Sequence, residues 1–304
     1  MTTVNADLNA DFMVAGVSGT PKRGVLTRVV ALLGNGFVRF LLVLVALLWL
    51  VPIFGLLASS VRGEVDNATT GWWKIFTAPA QLTLTNYRDL VGNSTIMHSL
   101  LNTVFISVPA TALVIGIGAL AAYALAWMRF PGQDWLMVTI VGLLVVPIQV
   151  ALIPMAKLYG ALGIFGSLIG VVLFHVAFGL PFAVFLLRNF FAGIPADLLE
   201  AARMDGAREW RIFRKVVLPI GLPAIASLAI FQFLWVWNDL LVALVFADPS
   251  SQPITVALQS QLRAFGTNVD VLATGSFVSM IIPLAVFFGF QRFFVQGVLA
   301  GSTK

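Results

Sequence analysis

The side chains able to do chemistry are few in this 304-residue chain, and most crowd into one stretch. Residues 188–223 carry Arg188, Asp197, Glu200, Arg203, Asp205, Arg208, Glu209, Arg211, Arg214 and Lys215, about a third of the chain's 18 basic and 13 acidic residues. One further carboxylate, Asp239, stands alone in the apolar run FQFLWVWNDLLVALVF, with Gln232, Trp235, Trp237 and Asn238 close by. With no cysteine, neither a disulfide nor a thiolate metal site can form. The two histidines, His98 and His175, sit in no HExxH pattern, which argues against zinc chemistry. No GxxxxGK[ST] phosphate loop is present, and Gly301-Ser302-Thr303-Lys304 lacks its upstream glycine spacing. These residues point to docking and passage rather than to catalysis on this chain.

The elements that hold them are apolar. Hydrophobic residues make up 60% of the chain, charged ones only 10%, and the mean hydropathy is +0.98. A soluble domain is nearer one-quarter charged, so most of this chain expects lipid as its solvent. A bilayer crossing needs about 20 apolar residues. Six runs qualify, at 37–58, 100–126, 135–156, 166–187, 222–246 and 275–294. The expected fold is an all-α membrane protein of six transmembrane helices, 37–304, behind a mobile cytoplasmic tail, 1–36. Pro109, Pro147, Pro154, Pro181 and Pro283 fall inside the runs, where membrane helices tolerate breakers and bend. Lys and Arg concentrate in alternate loops, thirteen of the 18 on the side of the N-terminus, which predicts both termini in the cytoplasm. The same scatter over short loops argues against nucleic acid as a partner, despite a pI near 10.0. The outer loops 59–99 and 247–274 are long, and Trp72 and Trp73 suit interfacial anchoring or substrate contact.

Within the charged stretch the punctuation is helical. Pro195 and Asp197 suit a first turn, and Ala196 to Met204 are mostly good helix formers. Asp205-Gly206 then breaks the run, since glycine enters the left-handed region that ends helices. A second amphipathic helix is expected over 207–218, with Pro219 and Pro223 leading into the fifth span. Two readings stand: a knob that fills a partner's groove, or a hairpin packed under its own bundle. Asp239 also has two, either lining a substrate path with Asn238, Trp235 and Gln232, or capping and hydrogen-bonding a helix. His175, Asn102 and Gln149 are expected to make structural hydrogen bonds.

The run Glu200-Ala201-Ala202, Asp205-Gly206-Ala207, Phe213 and Leu218-Pro219 with Pro223 resembles the EAA loop of binding-protein-dependent ABC importer permeases. Its flanks are similar to the carbohydrate branch: Arg188-Asn189-Phe190-Phe191 with Ile194-Pro195 before it, Trp237-Asn238-Asp239 after it, and residues 291–297, QRFFVQG, near the end. The resemblance covers roughly 37–304. It implies a type I ABC importer fold and a permease of the maltose-transporter second kind. In that family the loop, here 188–221, docks in a cleft of the ATPase. The carried-over coupling positions are Glu200, Ala201, Ala202, Asp205, Gly206, Ala207, Phe213 and Pro219, with Glu200 and Gly206 at the core. The implied partners are an ABC ATPase subunit dimer, which binds ATP and Mg, a second homologous permease, and an extracytoplasmic sugar-binding lipoprotein. The chain itself would carry no cofactor and no catalytic residue, in a prokaryotic inner or plasma membrane. An α-glucoside, trehalose, another oligosaccharide or a glycerol-phosphate ester would suit such a system. A self-sufficient secondary transporter would need coupling-ion sites, and one intramembrane carboxylate is thin support. An intramembrane enzyme would need a second catalytic group beside Asp239 or His175, and the sequence offers none.

Overall fold

The computed structural model describes residues 25–265 and 269–302, with side chains described over 36–261 and 270–291. Its helices, in chain order, are α1 (Val25–Ser60), α2 (Glu64–Thr69), α3 (Thr85–Gly92), α4 (Ser94–Trp127), α5 (Gln133–Leu143), α6 (Ile148–Leu162), α7 (Leu168–Ala192), α8 (Ala196–Met204), α9 (Glu209–Ile212), α10 (Leu218–Trp237), α11 (Leu241–Phe246), α12 (Ile254–Phe265) and α13 (Val269–Ser302). Among the described residues the only extended pairing is two isolated bridges, Arg62 with Leu82 and Gly166 with Ala247. The first helix begins at Val25, inside the stretch read as a tail, while 1–24 lie outside the described residues. The side chains of 292–297 in the closing motif are likewise outside them. The chain divides into two compact units at Phe54, and the packing below belongs wholly to the second.

Five helical segments are long and apolar enough to cross a bilayer: Gly36–Ser60, Ser94–Trp127, Leu168–Ala192, Glu209–Trp237 and Asp270–Gln291. The run 135–156, expected as the third span with Pro147 and Pro154 as possible bends, is two helices, α5 and α6, set at 102° to each other. The two helices count as a sixth span only if taken together. Pro147 explains the break. It has no N–H to offer the carbonyl of Leu143, its ring excludes the preceding turn, and it holds Val146 away from helical geometry. Pro147 then caps α6 from extended backbone, at ψ 132.

The run 222–246 also departs from one continuous helix, since α10 stops at Trp237 and α11 restarts at Leu241. Its start differs as well. The helix expected separately over 207–218 runs from Glu209 through a π-helical turn, Phe213–Val217, directly into α10. Pro219 lacks the N–H that would bond Lys215 in an α-helix, and a widened turn is a common way to absorb that loss.

Helices α4 and α7 form the most extensive pair. Buried Ile106, Ala110, Val114, Gly118 and Ala122 recur every fourth residue on α4, as do Val171, His175, Gly179, Ala183 and Leu187 on α7. Small residues let the backbones approach closely, the usual means of association where lipid is as apolar as leucine. A Cβ on Gly118 would lie 2.9 Å from that of Ala183. Polar staples then fix the ends. Asn102 donates to Ser250 O at 3.0 Å and Gln252 O at 3.2 Å, the structural role expected of it, and Ile254 N donates to Thr103 Oγ1 at 2.8 Å. The buried indole of Trp237 donates to Ser279 O at 3.1 Å, tying α10 to α13. In the outer loop Arg62 is fully buried, donating to Gly71 O at 2.9 Å and Gln81 Oε1 at 2.8 Å, so neutral oxygens surround its guanidinium. Gln149, by contrast, is exposed at the start of α6.

Candidate functional site

Helix α8 starts at Pro195 in extended backbone and carries Asp197 in its first turn, where the free N–H groups favour a negative charge. It ends in a glycine cap. Gly206 has φ 76, Gly206 N donates to Arg203 O at 3.0 Å, and Ala207 N reaches back to Ala202 O at 3.0 Å. That pair of bonds is the Schellman arrangement, and it gives the motif residues separate jobs. Ala202 and Ala207 form its apolar contact and pack on the core, beside fully buried Leu199. Asp205 ends the helix, and Gly206 takes the left-handed conformation that a Cβ resists. A Cβ built there would meet nothing within 4 Å, so the requirement is backbone geometry and not space. Glu200 and Ala201 face outward, with Met204 89% exposed at the tip.

The remaining residues of the motif differ in environment. Phe213 is buried against Tyr123, ring centroids 5.2 Å apart, so it anchors the loop and offers no surface to a partner. Pro219 is exposed in the first turn of α10. Between them lies a connection the sequence reading missed. Glu209 accepts from the Tyr123 hydroxyl on α4 and, at 3.0 Å, from Arg203 Nε on α8. The Glu209 carboxylate raises the Arg203 pKa further above its already high value, so the guanidinium stays cationic. Arg203 and Glu209 stand six apart across a bend and Tyr123 lies 86 residues from Glu209, so no helical spacing advertises the trio.

The second cluster lies at the break between α10 and α11. Asp239 Oδ1 accepts from Val242 N at 3.3 Å and Oδ2 from Ala243 N at 3.1 Å, so the carboxylate takes up the free donors of α11's first turn. Short polar side chains compete with a continuing helix in this way, which accounts for the interruption. His175 Nε2 lies 3.6 Å from Asp239 Oδ2, too long for a direct hydrogen bond, and both ring nitrogens are buried without one. The expectation of a structural hydrogen bond therefore fails for His175. Its ring instead meets Trp235 edge-on, centroids 5.1 Å apart at 88°. Asn238 is exposed and donates to Leu234 O at 2.8 Å, whereas Gln232 is buried. Among the described residues no group of three or more His, Asp or Glu side chains is placed to hold a metal ion.

The chain matches the family model of the binding-protein-dependent transport system inner membrane component over residues 114–300. It is 48% identical over 265 residues to the osmoprotective compounds uptake permease protein GgtD of Synechocystis sp., covering 86% of this chain and 89% of that one. It is 47% identical over 235 residues to the alpha-glucoside transport system permease protein AglG of Rhizobium meliloti, covering 75% of this chain and 62% of that protein. Among solved structures, a chain of a bacterial ABC transporter that imports the acidic polysaccharide alginate shares the fold. Its TM-score is 0.72 at 23% identity, across 90% of this chain and 99% of that one. The chain therefore belongs to the family of inner membrane components of binding-protein-dependent transport systems.

Proposed function

We propose that this chain is one of two membrane subunits of an ATP-driven sugar importer, coupled to its ATPase through residues 188–221. The observation that carries this reading is the capped knob of Ala196–Met204 and Gly206, with Glu200, Ala201 and Met204 exposed beside a core that holds Leu199 and Phe213. In this reading an ABC ATPase dimer binds ATP and Mg, and the chain itself is neither catalyst nor cofactor carrier. A second, homologous permease completes the pathway, and an extracytoplasmic sugar-binding lipoprotein delivers the substrate. The two subunits sit in a prokaryotic inner or plasma membrane, this one with six spans and both termini in the cytoplasm. Nucleic acid has no part. The substrate is an α-glucoside or a related disaccharide such as trehalose, in keeping with the transport named for the Rhizobium relative. Asp239, Asn238, Trp235 and Gln232 belong to its path.

The mechanism is mechanical. Closure of the ATPase on ATP moves the docked α8, and the Arg203–Glu209–Tyr123 trio passes that motion to α4 while the helix begun at Glu209 carries it into α10. The test is a photo-crosslinking residue at Met204 in the tagged, co-expressed complex. The expected adduct is a peptide of the ATPase chain, and its yield changes when ATP is trapped. An adduct confined to lipid or to this chain's own bundle would sink the reading.

A further inference from the structure

Helices α7 and α10 line an open-sided cavity of about 340 Å³ whose lining repeats one spacing on both helices. Phe178, Gly179 and Phe182 come from α7, and Phe231, Gln232 and Trp235 from α10. Four of the six are aromatic, and none carries a formal charge. The one polar side chain is Gln232, which is 4% exposed and whose amide nitrogen has no hydrogen-bond partner. A buried donor left unpaired is expensive, so this amide is a place where an arriving oxygen gains a hydrogen bond. Gly179 makes the room, because a Cβ there would stand 2.7 Å and 2.8 Å from the Gln232 amide atoms. Trp235, 39% exposed, presents its indole to the space and is braced from behind by the His175 ring.

We infer that this cavity is a subsite for a single neutral pyranose unit of the transported sugar. This rests on the sugar-import reading and deepens it. The apolar C–H face of a pyranose suits the aromatic walls, and an equatorial hydroxyl suits the Gln232 amide. The volume is at the small end of ligand sites, which run about 300–1,000 Å³, and matches one ring, with any further sugar unit lying beyond its open side. A lipid tail would fill the apolar walls but leave the amide unpaired. An anionic sugar is disfavoured, because no lining residue is cationic and the Asp239 carboxylate lies beyond Trp235, against His175. The subsite therefore selects neutral glucosides over phosphorylated or uronate-bearing sugars.

The test uses the complete complex in proteoliposomes with its binding protein. Uptake per assembled complex is measured for maltose, trehalose and sucrose, and for singly deoxygenated analogues of whichever the wild type imports best. Failure of the wild type to import any neutral glucoside would count against the sugar-import reading itself. Given wild-type import, Gln232→Leu is expected to raise the half-saturating concentration or lower the maximal rate about five- to tenfold, the worth of one hydrogen bond. The decisive sign is selectivity. The wild type distinguishes the parent sugar from one deoxy analogue, and Gln232→Leu loses that distinction. Trp235→Ala lowers uptake of parent and analogue alike, and Trp235→Phe restores part of it. A Gln232→Leu complex with unchanged uptake and unchanged discrimination would overturn the proposal. So would loss of the second permease from that complex with uptake per complex intact, since the cavity would then receive a neighbouring chain.

Discussion

Gly206 offers the cleanest perturbation, because the surroundings separate backbone strain from bulk. Its φ is 76, and a Cβ would meet no atom within 4 Å. Size alone should therefore cost little. The left-handed conformation costs an ordinary residue about 1–2 kcal/mol, less for Asn and more for a β-branched side chain. A penalty of that size shifts the equilibrium between the correctly bent knob and its alternatives by about five- to thirtyfold. The expected order of coupling is Gly, then Gly206→Asn, Gly206→Ala and Gly206→Val, although Asn is larger than Ala. The assay is ATP hydrolysis by the reconstituted complex with and without loaded binding protein, alongside retention of the ATPase during purification. A Cβ at Gly206 touches none of the core, so all four chains should reach the membrane and pair with the second permease. Gly206→Val is expected to lose transport and either shed the ATPase or leave its activity unresponsive. An order that follows side-chain volume, with Ala above Asn, would refute the reasoning. So would wild-type transport by Gly206→Val.

The other two predictions concern contacts found at each end of the pathway. Tyr123→Phe removes the hydroxyl that Glu209 accepts from. The carboxylate is partly exposed, so the expected loss is about 1 kcal/mol, seen as a small drop in unfolding temperature and a reduced ratio of stimulated to basal ATP hydrolysis. An unchanged ratio would show that the trio carries no motion. Asp239→Ala leaves the Val242 and Ala243 donors unpaired at the start of α11, and a lost cap of this kind costs about 0.5–2 kcal/mol. The Ala variant should unfold at lower temperature and Asp239→Asn should recover most of that loss. Equal unfolding temperatures for Ala and wild type would mean that the carboxylate serves the path alone.

What the sequence by itself determined rests on local rules. Long apolar runs announce membrane helices because lipid leaves the backbone no other partner; four of the six expected runs fall, to within two residues, in single helices, and 135–156 and 222–246 each cross one short break. The end of α8 at Asp205-Gly206 was equally legible, since only glycine enters the left-handed region freely. Tertiary structure decided the rest. Pro147 read as one breaker among several, and only the folded chain shows it bending α5 from α6 by 102° while Pro109 and Pro181 stay within α4 and α7. Asp239 had two local readings, and the N–H groups of α11 gave it a structural bond that an apolar helix pattern conceals. Phe213 matched a coupling motif yet became core, because Tyr123 comes to it from 90 positions earlier in the chain. The same holds for Gln232, whose cavity exists only where α7 crosses α10 and Gly179 leaves space. Periodicity and capping act over about four residues, so they reveal helices and their ends, whereas the partner of a buried polar group is chosen by packing between distant helices.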